Sequence, residues 1–225
     1  IFGCSIVIFL NLILYDVDSF AEKYFKGETF NFFDSFIRAA FLEEISKMTI
    51  LIFFCTRKDE FDEPMDGLVY GVAASLGFAA YENIGYVLSF YKEPSFNIAI
   101  VRAFSAVPMH ALCGVIMGFL IQQAIFEKEH NYLNLILALL IPVGMHGLYN
   151  YSYSSSLISN QVANVILFVF FLRAIFMFRG LKSKQLEGII SHKKYFIVNK
   201  NIFVQVSTTV LLFYLILTYI VNIVL

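Results

Sequence analysis

Charge is scarce in this chain. Only 15% of its 225 residues are Asp, Glu, Lys or Arg, against 59% hydrophobic residues and a mean hydropathy of +0.75, which excludes an ordinary soluble domain. No basic face is available for phosphate, because the net charge is −1 and the pI is near 6.5, so no nucleic-acid partner is expected. Cysteine is rare as well. Cys4, Cys55 and Cys113 all lie in or at the ends of apolar runs, which excludes a disulfide framework and a thiolate metal site. Cys113 follows His110 by three residues, and we take it as a small core residue. No period of 20–50 residues recurs, which excludes a solenoid.

What remains is apolar sequence in long stretches. A bilayer core needs about 20 apolar residues per helix. Stretches of that kind fall near 1–15, 34–56, 67–90, 96–126, 132–153, 158–178 and 201–225. The expected fold is therefore all-α: a polytopic transmembrane bundle of about seven spans, forming a single integral membrane domain over 1–225. The first run starts at Ile1 without an initiator Met or a basic leader, so it reads as the remnant of a trimmed helix and not as a signal peptide.

Positive charge alternates along the chain. Arg57 and Lys58 follow the second stretch, Lys128 the fourth, and Arg179, Lys182, Lys184, Lys193, Lys194 and Lys200 the sixth. The opposite loops hold only Lys23, Lys26 and Lys92. By the positive-inside rule the N-terminus is cytoplasmic and the loops at 16–33 and 91–95 face outward. The segment 179–200 is then a basic cytoplasmic loop; Leu181, Leu186, Ile189 and Ile190 give it a partly apolar character that suits either an interfacial helix on the inner leaflet or a topology signal with no further function. The acidic stretch 59–66 is a cytoplasmic turn with Pro64 ahead of the third helix. Gly67, Gly71 and Ser75, like Gly114 and Gly118, recur every four residues and give faces on which helices approach closely.

Against this background a few polar residues stand in costly places. Glu43, Glu44 and Lys47 interrupt the second stretch, Glu82 and Asn83 the third, His110 the fourth, and His146 and Asn150 the fifth. An ionised group at mid-bilayer costs roughly 2.5–3.5 kcal/mol on insertion scales, so intramembrane ionisable residues are functional by default. At 1.5 Å per residue the depths below the outer helix ends are about 15 Å for Glu43, 12 Å for Glu82, 21 Å for His110 and 10 Å for His146, which lets all four meet in the outer half of the membrane. Glu43 and Lys47 share a helical face, as do His146 and Asn150, while Glu44 points roughly 100° from Glu43, so one glutamate can face a site while the other is held by the protein. Carboxylates and imidazoles make general bases and divalent-metal sites, and zinc suits this donor set.

Each piece also has a plain alternative. Glu43 and Lys47 could be a structural ion pair, since breaking a buried pair costs about 3–5 kcal/mol. A lone His is usually a satisfied core residue. Arg38, Arg102 and Arg173 lie nearer span ends and by default snorkel to the interface, although Arg102 could neutralise a carboxylate instead. A proton- or ion-coupled transporter also uses Asp/Glu/His relays, though internal repeats and broken helices are not evident. A non-catalytic membrane scaffold is the remaining alternative.

The ordered set resembles the PrsW-type intramembrane proteases, within the larger group that includes the CAAX prenyl endopeptidases. Glu43-Glu44-Ile-Ser-Lys47 is similar to that family's EExxK motif, Phe78 to Asn83 to its FxxxEN, His110 with Gly118 to its histidine motif, and His146 to Asn150 to its HxxxD/N, with Asn in place of the Asp of many relatives. The CAAX branch typically has His where Glu82 stands. The resemblance covers 43–150 and implies a catalytic core at about 34–153. It implies an intramembrane endopeptidase acting on a membrane-anchored protein substrate in a bacterial or archaeal cell membrane, with anti-sigma-factor cleavage in stress signalling as the family's best-known task.

The implied catalytic set is Glu43, Glu44, Lys47, Glu82, Asn83, His110, His146 and Asn150. Glu43 would serve as base for a water, and His146 with Asn150 would stabilise the oxyanion. In a metal version Glu82, His110 and His146 would hold Zn²⁺ or another divalent ion. Other intramembrane protease classes lack their residues. No HExxH occurs, Asp16, Asp18, Asp34, Asp59, Asp62 and Asp66 lie in loops or at helix ends, and Ser46, Ser75 and Ser105 lack a nucleophile turn.

Overall fold

The computed structural model describes residues 24–89, 95–127 and 131–188. Those residues are mostly helical, with no strand among them. The stretches expected at 1–15 and 201–225 lie outside the described residues, as does the end of the basic segment beyond Gly188.

The chain enters through α1 (Glu28–Phe33) and continues without a break into a π-helical segment, Asp34–Phe41. α2 (Leu42–Ile50) follows, and a second π-helical segment, Leu51–Cys55, completes the run. Wide turns of this kind are uncommon and gather at functional sites, and here they bracket the Glu43-Glu44-Lys47 turn on both sides. A polar turn then leads to α3 (Pro64–Ser89), whose first position suits a proline that has no N–H to satisfy. Asp66 closes the turn by accepting from the N–H groups of Asp62 and Glu63 at 3.0 and 2.9 Å.

The stretch expected as one span at 96–126 is divided. α4 (Ser95–Phe104) and α5 (Ala106–Phe126) meet at Ser105, whose backbone leaves the helical region at φ −123° and ψ −73°. Pro108 in the first turn of α5 explains the division, because a proline needs the N–H-free start of a helix and its ring crowds any turn before it. α6 (Asn131–Ser154) and α7 (Gln161–Leu186) complete the bundle. α7 does not stop where apolar sequence ends near 178. Its last turns run through Arg179-Gly-Leu-Lys-Ser-Lys-Gln, mostly good helix formers, and the chain leaves at Gly188 with φ +67°, a left-handed exit that favours glycine.

Among the described residues three helical segments are long and apolar enough to cross a membrane: Asn97–Phe126, Asn131–Ser154 and Gln161–Leu186. α3 is long enough, but its glycines, tyrosines and the Glu82–Asn83 pair dilute its hydropathy. The run from Glu28 to Cys55 carries the charges of the site.

α5 is the centre of the bundle and packs on α3, α6 and α7. Met117, Ile121 and Phe126 of α5 form the core with Phe61, Leu51, Met145 and Ile166. The small-residue faces do what their spacing predicts, since a Cβ on Gly67, Gly71, Gly114 or Gly118 would overlap the facing helix backbone. That close α3/α5 contact carries Glu82 up to His110. Gly147 makes the corresponding gap for the ring of Phe36, bringing α6 against the first wide segment.

Candidate active site

Four elements converge on one buried polar cluster: α2 supplies Glu43, Glu44 and Lys47, α3 Glu82 and Asn83, α5 His110, and α6 His146. The two adjacent glutamates part company, as a helical step of roughly 100° requires. Glu44 is fully buried, while the Glu43 side chain keeps 13% of its surface.

Lys47, only 1% exposed, donates to Glu44 Oε1 at 2.7 Å and to His110 Nδ1 at 2.9 Å, and it lies 4.7 Å from the centre of the Phe78 ring. Its distance to Glu43 Oε2 is 4.0 Å. The closer ion pair is therefore Glu44–Lys47 at i, i+3, and not the Glu43–Lys47 pair that i, i+4 spacing suggests. The reason is burial: a carboxylate with no exposure must be compensated, whereas one at the edge need not be.

The donors set the tautomers. An ammonium can only donate, so His110 Nδ1 accepts from Lys47, and its Nε2–H donates to Glu82 Oε2 at 2.9 Å. Glu44 Oε1 takes a second bond from His146 Nδ1 at 2.8 Å, which leaves His146 Nε2 outside this chain of hydrogen bonds. That nitrogen lies 3.9 Å from Glu43 Oε2, a buried oxygen with no hydrogen-bond partner. The two imidazole rings meet edge to face with centroids 5.1 Å apart.

Glu82 is held from its other side by Arg102, whose Nη2 donates to Glu82 Oε2 at 2.8 Å and whose Nε donates to Asn83 Oδ1 at 2.5 Å. The same guanidinium lies over the Tyr86 ring at 3.8 Å. Arg102 is thus the cation that sequence reasoning placed by default at the interface. The signal for the other reading was its place at the same end of the bundle as Glu82 and Asn83.

Seven of the eight expected residues come together: Glu43, Glu44, Lys47, Glu82, His110 and His146 directly, and Asn83 through Arg102. Asn150 is half-buried one turn beyond His146 and makes no hydrogen bond among the described residues. The expected metal set also changes by one residue. Ligand atoms of Glu43, His110 and His146 all lie within 4.8 Å of one another, so Glu43 stands where Glu82 was expected, and Glu82 is taken up by Arg102 and His110. Cys113 is fully buried, and its thiol contacts Met109 Sδ and the Pro142 carbonyl.

Comparison with known proteins places the chain in a family. The sequence model of the PrsW family intramembrane metalloproteases matches residues 1–175. Protease PrsW of Geobacillus kaustophilus (strain HTA426) is 43% identical over 118 residues, covering 52% of this chain and 51% of the relative. The Bacillus subtilis (strain 168) Protease PrsW is 40% identical over 143 residues, 63% of each chain. That of Clostridioides difficile (strain 630) is 30% identical over 190 residues, 83% of this chain and 77% of the relative. The match thus spans between half and two thirds of the length of the first two relatives. No solved structure matches.

Proposed function

This chain belongs to the PrsW family of intramembrane metalloproteases, and from that premise we propose that it is an intramembrane endopeptidase hydrolysing a peptide bond in a membrane-anchored protein substrate. The observation that carries the proposal is the pair Glu43 Oε2 and His146 Nε2, which face each other 3.9 Å apart with no hydrogen bond at the end of a hydrogen-bonded chain; Glu44 Oε2 is also buried without a partner, but its Oε1 is held by Lys47 and His146. A site built only for stability would leave no such pair.

In the proposed reaction a water held between these two groups attacks the substrate carbonyl carbon. Glu43 takes the proton as the new C–O bond forms, and His146 Nε2 accepts it in turn. The resulting imidazolium is stabilised by Glu44 at Nδ1, and it donates the proton to the departing amide nitrogen as the C–N bond breaks. Asn150, one turn along α6, is the candidate donor to the oxyanion. Lys47 and Arg102 keep Glu44, His110 and Glu82 in register without touching substrate.

The donor chemistry also fits a divalent metal. Two imidazoles and a carboxylate suit Zn²⁺, and the partnerless Glu43 oxygen supports that reading. Glu43, His110 and His146 would hold it, with His110 exchanging one of its present partners. Glu44 on His146 Nδ1 is the outer carboxylate that commonly orients such a ligand. A bound ion would lower the pKa of its water and polarise the carbonyl.

The estimated depths favour a site in the outer half of a bacterial cell membrane, and the family's best-known task favours an anti-sigma-factor-like substrate with one anchoring helix. The seven-span topology with a cytoplasmic N-terminus belongs to the same proposal. Glu43→Ala and His146→Ala are expected to abolish cleavage of a membrane-anchored reporter in reconstituted vesicles. Unchanged cleavage in either variant overturns the assignment.

A further inference from the structure

A half-open cavity lies between α5 and α7, lined by other residues than the cluster. It is a cavity of about 140 Å³, walled by Phe119, Phe176 and Met177 and carrying Gln122, Arg173 and Lys184 as polar lining. At ~30 Å³ per water it holds several waters' volume, enough for a phosphodiester group.

Three of its polar groups are unspent. Gln122 is 1% exposed and its buried Oε1 has no hydrogen-bond partner. Arg173 sits well inside α7, six residues short of the basic end that begins at Arg179. Neither Arg173 nor Lys184 makes an ion pair or hydrogen bond among the described residues. Eleven residues separate them, so they share one face of α7 about 16 Å apart along its axis. Arg173 is an exposed residue on the cavity's lining, at the end away from the basic terminus of α7. Glu127 also lines the space, but its carboxylate accepts from Gln123 at 3.4 Å, and it is one anion against two cations.

A fitting ligand therefore needs acidic or ester oxygens at two depths, a hydroxyl to donate to Gln122, and a hydrocarbon part for the apolar wall. We propose that this cavity binds an anionic glycerophospholipid with a hydroxylated head group, of the phosphatidylglycerol class. Lys184 takes the phosphate at the basic end of α7, Arg173 takes the deeper ester oxygens, Gln122 Oε1 accepts from the head-group hydroxyl, and the acyl chains lie along Phe119, Phe176 and Met177. Basic pockets between membrane helices on the cytoplasmic side are suited to such lipids. A free phosphate shares the anionic chemistry but has no use for the apolar wall.

The test uses the whole protein reconstituted in bilayers of equal parts phosphatidylglycerol and phosphatidylcholine, re-extracted in mild detergent, with the retained lipid counted by mass spectrometry. The wild type is expected to retain phosphatidylglycerol over phosphatidylcholine. Lys184→Gln, at an exposed position that leaves the fold intact, lowers that retention about fivefold, and Arg173→Gln with it by about twenty-five-fold. Lys184→Arg restores retention, and millimolar inorganic phosphate leaves it in place. No preference in the wild type, or an unchanged preference in Lys184→Gln, overturns the proposal. So does displacement by inorganic phosphate, which would mark a free-anion site.

Discussion

Replacing Glu43 by Gln is predicted to make the protein more stable and inactive at once. The buried cluster holds three carboxylates, Glu43, Glu44 and Glu82, against two permanent cations, Lys47 and Arg102. Glu44 and Glu82 each hold two short contacts, whereas Glu43 Oε2 has none and lies 4.0 Å from the nearest ammonium. A buried acceptor without a partner costs about 1–3 kcal/mol, and more when charged. Removing the excess carboxylate while keeping the shape should therefore raise the unfolding free energy by about 1–3 kcal/mol, measured by denaturant titration in micelles with a chelator present. Cleavage of a membrane-anchored reporter should fall by about 10² to 10⁴ for loss of the general base. Zn²⁺ at 100 times its Kd should stabilise the wild type by about 2.7 kcal/mol and stabilise the variant far less. A Glu43→Gln protein less stable than wild type under chelation would refute the charge argument, because it would mean Glu43 is already compensated.

Lys47→Met should behave oppositely, costing about 3–5 kcal/mol by stranding the fully buried Glu44 carboxylate, and the Lys47→Met/Glu44→Gln double variant should cost clearly less than the sum of the single changes; additivity would show that the pair does not interact. Gly71→Ala drives a methyl into the Gly114 carbonyl and should destabilise by about 1–3 kcal/mol, whereas Gly77→Ala, with nothing within 4 Å, should be neutral or slightly stabilising in thermal unfolding. Outside the spans, Glu28 accepts from Ser155, from the N–H and hydroxyl of Ser156 and from Tyr151, and these bonds, Ser155 first, hold its carboxyl at about 2. A folded value below the unfolded one means its stabilisation is fully present above the ordinary carboxylate range near 4.5 and is lost as pH falls toward about 2; Glu28→Gln should flatten that acid limb in melting curves, and an unchanged limb would sink the reasoning.

The positions of the helices and the four polar motifs were legible because hydropathy and period report burial directly. Glu43, Glu82, His110 and His146 stand out from runs of Leu, Ile and Phe, and compatible depths were enough to expect that they meet. What hydropathy does not register is backbone hydrogen bonding among equally apolar residues. The break at Ser105 lies between Phe104 and Ala106, and only Pro108 hinted at it. The wide turns at Asp34–Phe41 and Leu51–Cys55 have the composition of ordinary helix. α7 outran its apolar stretch because helix propensity continues through Lys and Gln where hydrophobicity does not. Partner choice was hidden for another reason: spacing makes Lys47 equally available to Glu43 and Glu44, and only three-dimensional burial decides between them.

That decision has a directional consequence across the cluster. Lys47 can only donate, so every bond on either side of it has a fixed sense. On one side His110 must accept at Nδ1 and donate at Nε2 to Glu82, whose oxygen also takes Arg102. On the other side Glu44 Oε1 accepts twice, so His146 donates at Nδ1 and its Nε2 is left toward Glu43. Arg102 at one end is likewise a pure donor, and the chain between the two cations therefore has no alternative arrangement of protons. His146 Nε2 faces Glu43 because Nδ1 is committed to Glu44. Two neighbouring glutamates of identical chemistry thus carry opposite burdens: Glu44 is spent holding the tautomer, and its loss falls on the fold, whereas Glu43 holds nothing together, and its loss falls on the reaction.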